Sequence, residues 1–338
     1  MSARESIIPV FVPHLGCPND CVFCNQRRIS GEQLPAGPET VKNAIESAAA
    51  FLPAGGKRQL AFYGGSFTAI PTAQQEALLS VAKEYLDKGM MHSIRLSTRP
   101  DAIDHSVLDR LESYGVETVE LGAQSLDDEV LTLSGRGHTA MDVENASRLI
   151  KSRGFKLILQ MMTGLPGDTV QKDVATAKKI IALRPDGVRI YPTVIVRDTA
   201  LYDMWQAGSY PEHSVEDAVQ VCAELLPLFE AADIPVIRLG LNPTDDLSGG
   251  DAAGGAYHPA LGEMVKSRIM LRRAESVLDG IEPGAQIIIE VPRGKTSQMT
   301  GQKRGNVRYL KEKFALKELK IRENPDLNGE IRLIRIEK

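Results

Sequence analysis

The sequence predicts an α/β fold: a partial (βα)6 TIM-like barrel followed by a small α+β C-terminal domain. Three observations point there. Through residues 1–241, short runs rich in branched apolar residues alternate with amphipathic helical stretches, which is how repeated βα units around a parallel sheet read. Residues 242–260, NPTDDLSGGDAAGGAYHPA, then break the pattern with an aperiodic stretch dense in Gly, Pro and Asp. Beyond it the order becomes strand, helix, strand, strand, and the charge changes sign. Arg293 to Lys338 holds 13 Lys or Arg against 6 Asp or Glu, a balance of +7, so in a chain of net charge −4 the remainder carries −11.

The strands are expected at 7–13 (IIPVFVP), 58–65 (RQLAFYGG), 93–99 (SIRLSTR), 116–125 (VETVELGAQS), 156–164 (KLILQMMTG) and 186–196 (DGVRIYPTVIV), with 234–241 (IPVIRLGL) extending the sheet as a seventh. Six repeats fall short of a closed eight-fold barrel, hence a partial one. Helical patterns at 38–52, 72–89 and 141–154 lie between them, the last two closing on Gly as helix C-termini often do. Residues 1–241 are therefore assigned to the barrel. Residues 242–285 supply a loop and a connecting helix at 262–278, and residues 286–338 a small basic module.

A chain of 338 residues, 43% hydrophobic and 25% charged, has material for one large core and a smaller appended unit. The N-terminus has an apolar run of about seven residues, but two prolines break it and no small-residue cleavage site follows, so it fails as a signal peptide. No segment approaches the roughly 20 apolar residues of a membrane helix. A cytoplasmic location without a membrane partner is expected, where thiols stay reduced and clustered cysteines bind metal or do chemistry.

Residues 14–31, HLGCPNDCVFCNQRRISG, pack three of the four cysteines into eight positions. Cys17, Cys21 and Cys24 have the spacing C-x3-C-x2-C directly after the first strand, where a loop at the C-terminal mouth of a barrel lies. Structural zinc wants four tetrahedral ligands, normally in two separated pairs, and His14 is the only imidazole near. Thiolates also bind iron–sulfur clusters, and a cubane held by three cysteines leaves its fourth iron open to a second ligand. An iron–sulfur site, a closed zinc site and reduced bystander thiols are the three readings of the spacing. Cys222, far off in the amphipathic stretch 214–233, reads as an inert core thiol.

With Phe23 in the aromatic place, C-x3-C-x-(aromatic)-C resembles the motif of the radical S-adenosylmethionine superfamily, and the resemblance covers the first two thirds of the chain. It implies a [4Fe-4S] cluster on Cys17, Cys21 and Cys24, with S-adenosyl-L-methionine chelating the open iron. It further implies reductive cleavage to methionine and a 5′-deoxyadenosyl radical that abstracts hydrogen from a substrate, fed by a low-potential reductant such as flavodoxin or ferredoxin. YGGSF, Tyr63 to Phe67, resembles the family's glycine motif, which assigns Gly64, Gly65 and Ser66 to the methionine amino group. Paired glycines let a ligand approach the main chain, though a tight turn needs them too.

Residues 120–139, ELGAQSLDDEVLTLSGRGHT, resemble the fourth-strand segment of the elongator catalytic subunit and of the oxygen-independent coproporphyrinogen oxidases. By that analogy Glu120, Gln124 and Ser125 stand at the strand end, Gln124 and Ser125 facing the ribose. Arg136 reaches the ligand carboxylate, as a guanidinium fork suits, with His138 beside it. A surface-loop pair is the other reading of Arg136 and His138. LQMMTGLPGDT, residues 159–169, has the Leu-Pro-Gly strand close of both families, with Met161 and Met162 read as packing. Residues 189–210 resemble the elongator subunit alone, and there Tyr191 and Tyr202 line a substrate cavity or fill the core.

The chain departs from the elongator family in its tail. After residue 294 about 45 residues remain, too few for an acetyltransferase fold given domain sizes of roughly 50 to 250 residues. Carboxymethylation of a tRNA uridine therefore does not carry over. The tail offers Lys303, Arg304 and Arg308 on a basic loop and helix, placed to contact RNA phosphates or to form a solvated face. The expected function is a radical enzyme, with tRNA or other RNA as substrate and no catalytic side chain yet assigned. Its alternatives are a non-catalytic metal-stabilised RNA-binding protein, and a radical enzyme for a porphyrin-like small molecule.

Overall fold

Seven parallel strands form the larger part of the molecule. In chain order the first eight strands are β1 (Ser6–Phe11), β2 (Arg58–Tyr63), β3 (Ser93–Thr98), β4 (Val116–Gln124), β5 (Lys156–Thr163), β6 (Gly187–Pro192), β7 (Val194–Val196) and β8 (Val236–Leu239). The sheet runs β1-β2-β3-β4-β5-β6-β8 with every pairing parallel, so the six expected strands and the seventh all lie in it. This computed structural model describes residues 6–12, 15–17, 21–25, 36–51, 56–243 and 247–335, and His14 lies outside them. The chain divides into two units, Met1–Ser214 with Leu225–Tyr257, and Val215–Glu224 with His258–Lys338.

The strands read as unbroken apolar runs because both faces are covered. Leu60, Ala61 and Phe62 in β2 are all fully buried, as are Ile94 and Leu96 in β3. Helices α1 (Pro38–Phe51), α2 (Thr72–Asp87), α3 (His105–Ser113), α4 (Asp128–Leu133), α5 (Ala140–Ser152), α6 (Val170–Leu183), α7 (Ala200–Gln206) and α8 (Val215–Ala231) connect them. Side-chain caps open several of them: the oxygens of Asp104, Asp127, Thr139, Thr169 and Thr199 each accept the N–H three residues on. Such caps fix where each helix begins, and so how the preceding strand-end loop is drawn.

The sheet is curled. Glu120 on β4 accepts from Tyr63 on β2 at 3.3 Å and from Arg189 on β6 at 2.8 Å, although β3 and β5 intervene. Side chains from alternate strands meet only on a concave face, the inner wall of a partial barrel. β1 is an edge of this sheet. Ser6 and Val12 give their N–H groups to Lys57 and Tyr63 on the β2 side. By the alternation of a parallel ladder, the odd-numbered residues face the free edge, and Pro9, exposed there, has no N–H to present.

Two expectations are corrected. Residues 186–196 do not form one strand: β6 ends at Pro192, Thr193 Oγ1 donates to Thr163 O at 2.7 Å, and β7 leaves the sheet. β7 pairs antiparallel with β9 (Ala252–Gly255), a strand inside the stretch read as an aperiodic loop. Packing of Val194 and Val196 on Leu247 and Tyr257 supports the pair.

The second unit contains helix α9 (Leu261–Leu278), then β10 (Gln286–Val291), α10 (Thr296–Thr300), α11 (Gly305–Lys313), β11 (Glu318–Glu323) and β12 (Arg332–Arg335). Its sheet has the order β11-β10-β12, with β10 parallel to β11 and antiparallel to β12. Ile287, Ile289 and Val291 point one way from β10 into a core with Ala274, Leu278, Val307 and Leu310. Glu290 points the other way, between Arg322 and Arg332. Among the described residues no helix is long and apolar enough to cross a membrane.

Candidate active site

The C-terminal ends of the parallel strands carry the loops of the predicted cysteine, glycine and Gln124–Ser125 residues, whereas Glu120, expected at a strand end, lies mid-way along β4. Phe11 at the end of β1 lies beside Tyr63 at the end of β2, and Thr98 at the end of β3 beside Leu121 on β4. The cysteine loop leaves β1, the Gly64–Ser66 turn leaves β2, Arg99 follows β3, and Gln124 closes β4.

Backbone hydrogen bonds seat the cysteine loop. Ser66 N donates to Leu15 O at 2.8 Å, Val22 N to Ser134 O at 3.1 Å, and Leu201 N to Val22 O at 2.8 Å. Two glycines make the crossing possible: a Cβ on Gly65 would collide with the carbonyl oxygens of Val12 and Leu15, and one on Gly16, at φ +70°, with that of Ser66. Phe23 packs among Val130, Met162 and Leu165 on one side and Ile195 and Leu201 on the other. The expected aromatic place is thus an apolar anchor for the loop.

Arg136 is nearly buried and stands over the sulfurs. Its Nη1 donates to Cys21 Sγ at 3.2 Å and its Nη2 to Gly122 O at 2.8 Å. Cys17 is exposed at its residue surface and Cys21 and Cys24 are partly buried. Protein atoms around the Cys17 thiol nonetheless desolvate it and raise its pKa. The Cys21 sulfur adds to this, while the Arg136 and Arg99 guanidinium groups and a hydrogen bond from Ser66 pull the other way. Among the described residues, no three His, Cys, Asp or Glu side chains converge as ligands of one ion. In a [4Fe-4S] cubane each thiolate binds its own iron, and the donor set of three cysteines beside a guanidinium fits that group.

Gln124 sits at φ +62°, a left-handed residue at an irregularity where Gly122 and Gln124 pair with β5, and its Oε1 accepts from Gln160 Nε2 at 3.2 Å. Ser125 is buried. Its hydroxyl meets Thr176 Oγ1 at 3.3 Å and accepts from Asp127 N at 3.2 Å. His138 is buried with Nε2 3.2 Å from Ala123 O, and desolvation, helped by Arg136, pushes its pKa down to about 4, so the ring is neutral. Glu120 anchors an ion-pair cluster: Arg95 Nη1 reaches it at 2.7 Å, and Arg189 Nε and Nη2 at 2.8 and 3.1 Å, with Arg189 Nη1 also 3.3 Å from Tyr191 hydroxyl. Tyr202 stacks near Trp205 with Arg197 over its ring.

Arg95, Arg189 and Arg99 went unpredicted. For Arg95 and Arg189 the available signal was an arginine inside an otherwise apolar strand, SIRLST or GVRIYP, because a charge buried on a two-sided sheet must find a partner. In the second unit Lys303, Arg304 and Arg308 are exposed, the first two at positive φ just before α11. Cys222 is fully buried in α8.

A curled parallel sheet with a three-cysteine loop at its mouth defines a class, and comparison agrees. The radical SAM superfamily model matches residues 11–180, half of the chain, and a radical SAM C-terminal domain matches residues 185–270. The chain belongs to the radical SAM superfamily and is an enzyme of that kind. It is 36% identical to human elongator complex protein 3 over 138 residues, 40% of this chain and 25% of that protein. It is 35% identical to a tRNA uridine(34) acetyltransferase of Methanocaldococcus infernus over 129 residues, 37% of this chain and 24% of that protein. The matched segment thus spans about a quarter of these relatives. The solved archaeal Elp3 from Methanocaldococcus infernus shares the fold, with a TM-score of 0.63 at 23% identity over 79% of this chain and 63% of that one.

Proposed function

We propose that this chain modifies RNA, holding a [4Fe-4S] cluster on Cys17, Cys21 and Cys24 and receiving S-adenosylmethionine at the neighbouring strand ends. The observation that carries the reading is the seating of the three thiols, in a loop pinned to β2, to the end of α4 and to α7 with the Arg136 guanidinium on Cys21 Sγ. When bound, the cluster supplies the electron that breaks a carbon–sulfur bond of S-adenosylmethionine, releasing a 5′-deoxyadenosyl radical that takes hydrogen from the substrate.

The protein's own part is positioning and water exclusion. Gly64, Gly65 and Ser66 offer main chain to the methionine amino group, and Arg136 offers its fork to the carboxylate. Gln124 presents its amide to the ribose. Ser125, with its hydroxyl on Thr176 and the Asp127 N–H, holds the turn that presents it. Phe23, Val130, Met162 and Leu165 supply an apolar wall against water. Glu120 keeps Arg95 and Arg189 fixed across the concave face. The RNA assignment draws on the relatives that are named for tRNA uridine chemistry and on the exposed Lys303, Arg304 and Arg308. A low-potential flavodoxin or ferredoxin is the matching electron donor.

Anaerobic reconstitution tests this. Roughly four irons per chain and dithionite-dependent 5′-deoxyadenosine, increased by bulk tRNA, are expected. Colourless protein with stoichiometric zinc and no deoxyadenosine would leave a metal-stabilised RNA-binding scaffold instead. Turnover indifferent to tRNA would favour a small-molecule substrate.

A further inference from the structure

We infer that Arg99 is a positioning residue for Arg136, and that the opposed charges of Arg99 and Asp101 tune the reduction potential at the cysteine loop. This rests on the cluster assignment above and deepens it. Arg99 follows β3, and its side chain is only 3% exposed. Asp101 grips it at two points, Nε to Oδ1 at 2.8 Å and Nη2 to Oδ2 at 3.0 Å. The same Nη2 donates to Arg136 O at 2.8 Å, and the Arg99 backbone N–H donates to Ser66 Oγ at 3.1 Å. One residue thereby ties the glycine turn to the backbone of the arginine whose other end lies on Cys21 Sγ.

The guanidinium is planar, so holding Nε and Nη2 fixes the direction of Nη1 as well. That nitrogen is buried and has no acceptor among the described residues. A buried donor left without a partner is costly, and the charges of Arg99 and Arg136 both act on the Cys17 thiol. The arrangement suits an anion that arrives with the cluster or its ligand.

Charge then decides the sign of the effect. Reducing a cluster adds negative charge to the site, which a nearby cation favours and an anion opposes, more strongly where water is excluded. Asp101 has 31% of its side chain exposed and partly cancels Arg99. Removing the arginine charge should therefore make reduction harder, and removing the aspartate charge should make it easier. A purely structural role for the pair predicts no such opposition.

The test uses reconstituted full-length protein with Arg99→Gln, Arg99→Lys and Asp101→Asn, matched for iron content, reading the midpoint potential by electron paramagnetic resonance and S-adenosylmethionine affinity by calorimetry without reductant. Arg99→Gln is expected at a more negative potential with affinity weakened by about tenfold, the scale of one charged hydrogen bond. Asp101→Asn is expected at a more positive potential. Arg99→Lys keeps the charge but loses the fork, so its potential should stay near wild type while affinity falls. Shifts of the two charge-removing variants in one direction, or no shift in either at wild-type iron, overturn the inference. If Arg99→Gln takes up no iron, Asp101→Asn decides: a positive shift supports the inference and an unmoved potential ends it. Wild-type protein that binds no iron defeats the functional reading itself, an outcome recognisable before any variant is compared.

Discussion

Asp173 stands in the first turn of α6 beside Asp168 of the preceding loop, and its burial together with the Asp168 charge opposes its ionisation. Asp173 is almost completely buried, and desolvation, reinforced by the Asp168 charge, lifts its pKa far above the carboxylate range. Asp168 is itself raised by burial, and among the described residues no N–H group reaches its Oδ2, where a protonated Asp173 would serve as donor. Thr169 N completes the set at Asp168 Oδ1, at 2.8 Å.

That pair predicts a pH dependence. A folded-state pKa above the unfolded value favours folding most in acid, and the contribution fades as pH rises towards the raised pKa. Thermal unfolding of the wild type should lose stability from about pH 5 towards pH 9. Asp173→Asn replaces the proton with a permanent N–H donor, so it should gain on the order of 1 kcal/mol at pH 8 and flatten the profile. An unchanged slope in the variant would place the titration elsewhere.

Replacing any one of Cys17, Cys21 or Cys24 by Ala should abolish the intact cluster and all deoxyadenosine formation. Cys222→Ala, in a fully buried helix position, should keep both and lose about 1 kcal/mol of stability from the small void. Iron assay beside thermal melts distinguishes the two classes. A triad variant with full iron would remove the ligand assignment.

Gly65→Val should do more than block a ligand. The new side chain would strike the carbonyls of Val12 and Leu15, which belong to the segment leading into the cysteines. Iron uptake and S-adenosylmethionine affinity are expected to fall together, with several degrees lost from the melting temperature, roughly 1–3 kcal/mol of overpacking. Full iron with lost affinity would mean that the glycine serves the ligand alone.

Lys303, Arg304 and Arg308 should contribute to tRNA binding through phosphates. Changing all three to Gln should weaken binding and reduce the steepness of log affinity against log salt by roughly two to three, about one per lost contact. Filter binding across a salt series measures it, and iron content should not change. Parallel salt slopes for variant and wild type would show that these charges face only water.

The parallel sheet was legible because strands covered on both faces are written as continuous apolar runs. Where a strand changes partners, that signal fails: β6 and β7 read as one run, and only the turn at Pro192–Thr193 separates them. β9, Ala-Ala-Gly-Gly, has no branched residue at all and becomes a strand only by pairing with β7. The cysteine loop was legible because three thiols at short spacing directly after the first strand are visible in the sequence itself. Arg99 and Arg189 were not: Asp101 lies only two residues from Arg99, but the Arg136 backbone that it holds lies 37 away, and Glu120 lies 69 from Arg189.

Among the described residues the strand that carries the cysteine loop pairs with one other strand, and its outer side, where Phe11 O accepts from Ala36 N at 3.2 Å, is otherwise the kind of template on which foreign strands polymerise. Ile7, 43% exposed on that strand, would add to the attraction. Pro9 spoils the template in its middle, because an incoming strand would find a ring where it needs a donor. Pro9 therefore keeps this strand from recruiting other copies of the chain even where the cysteine loop beside it moves.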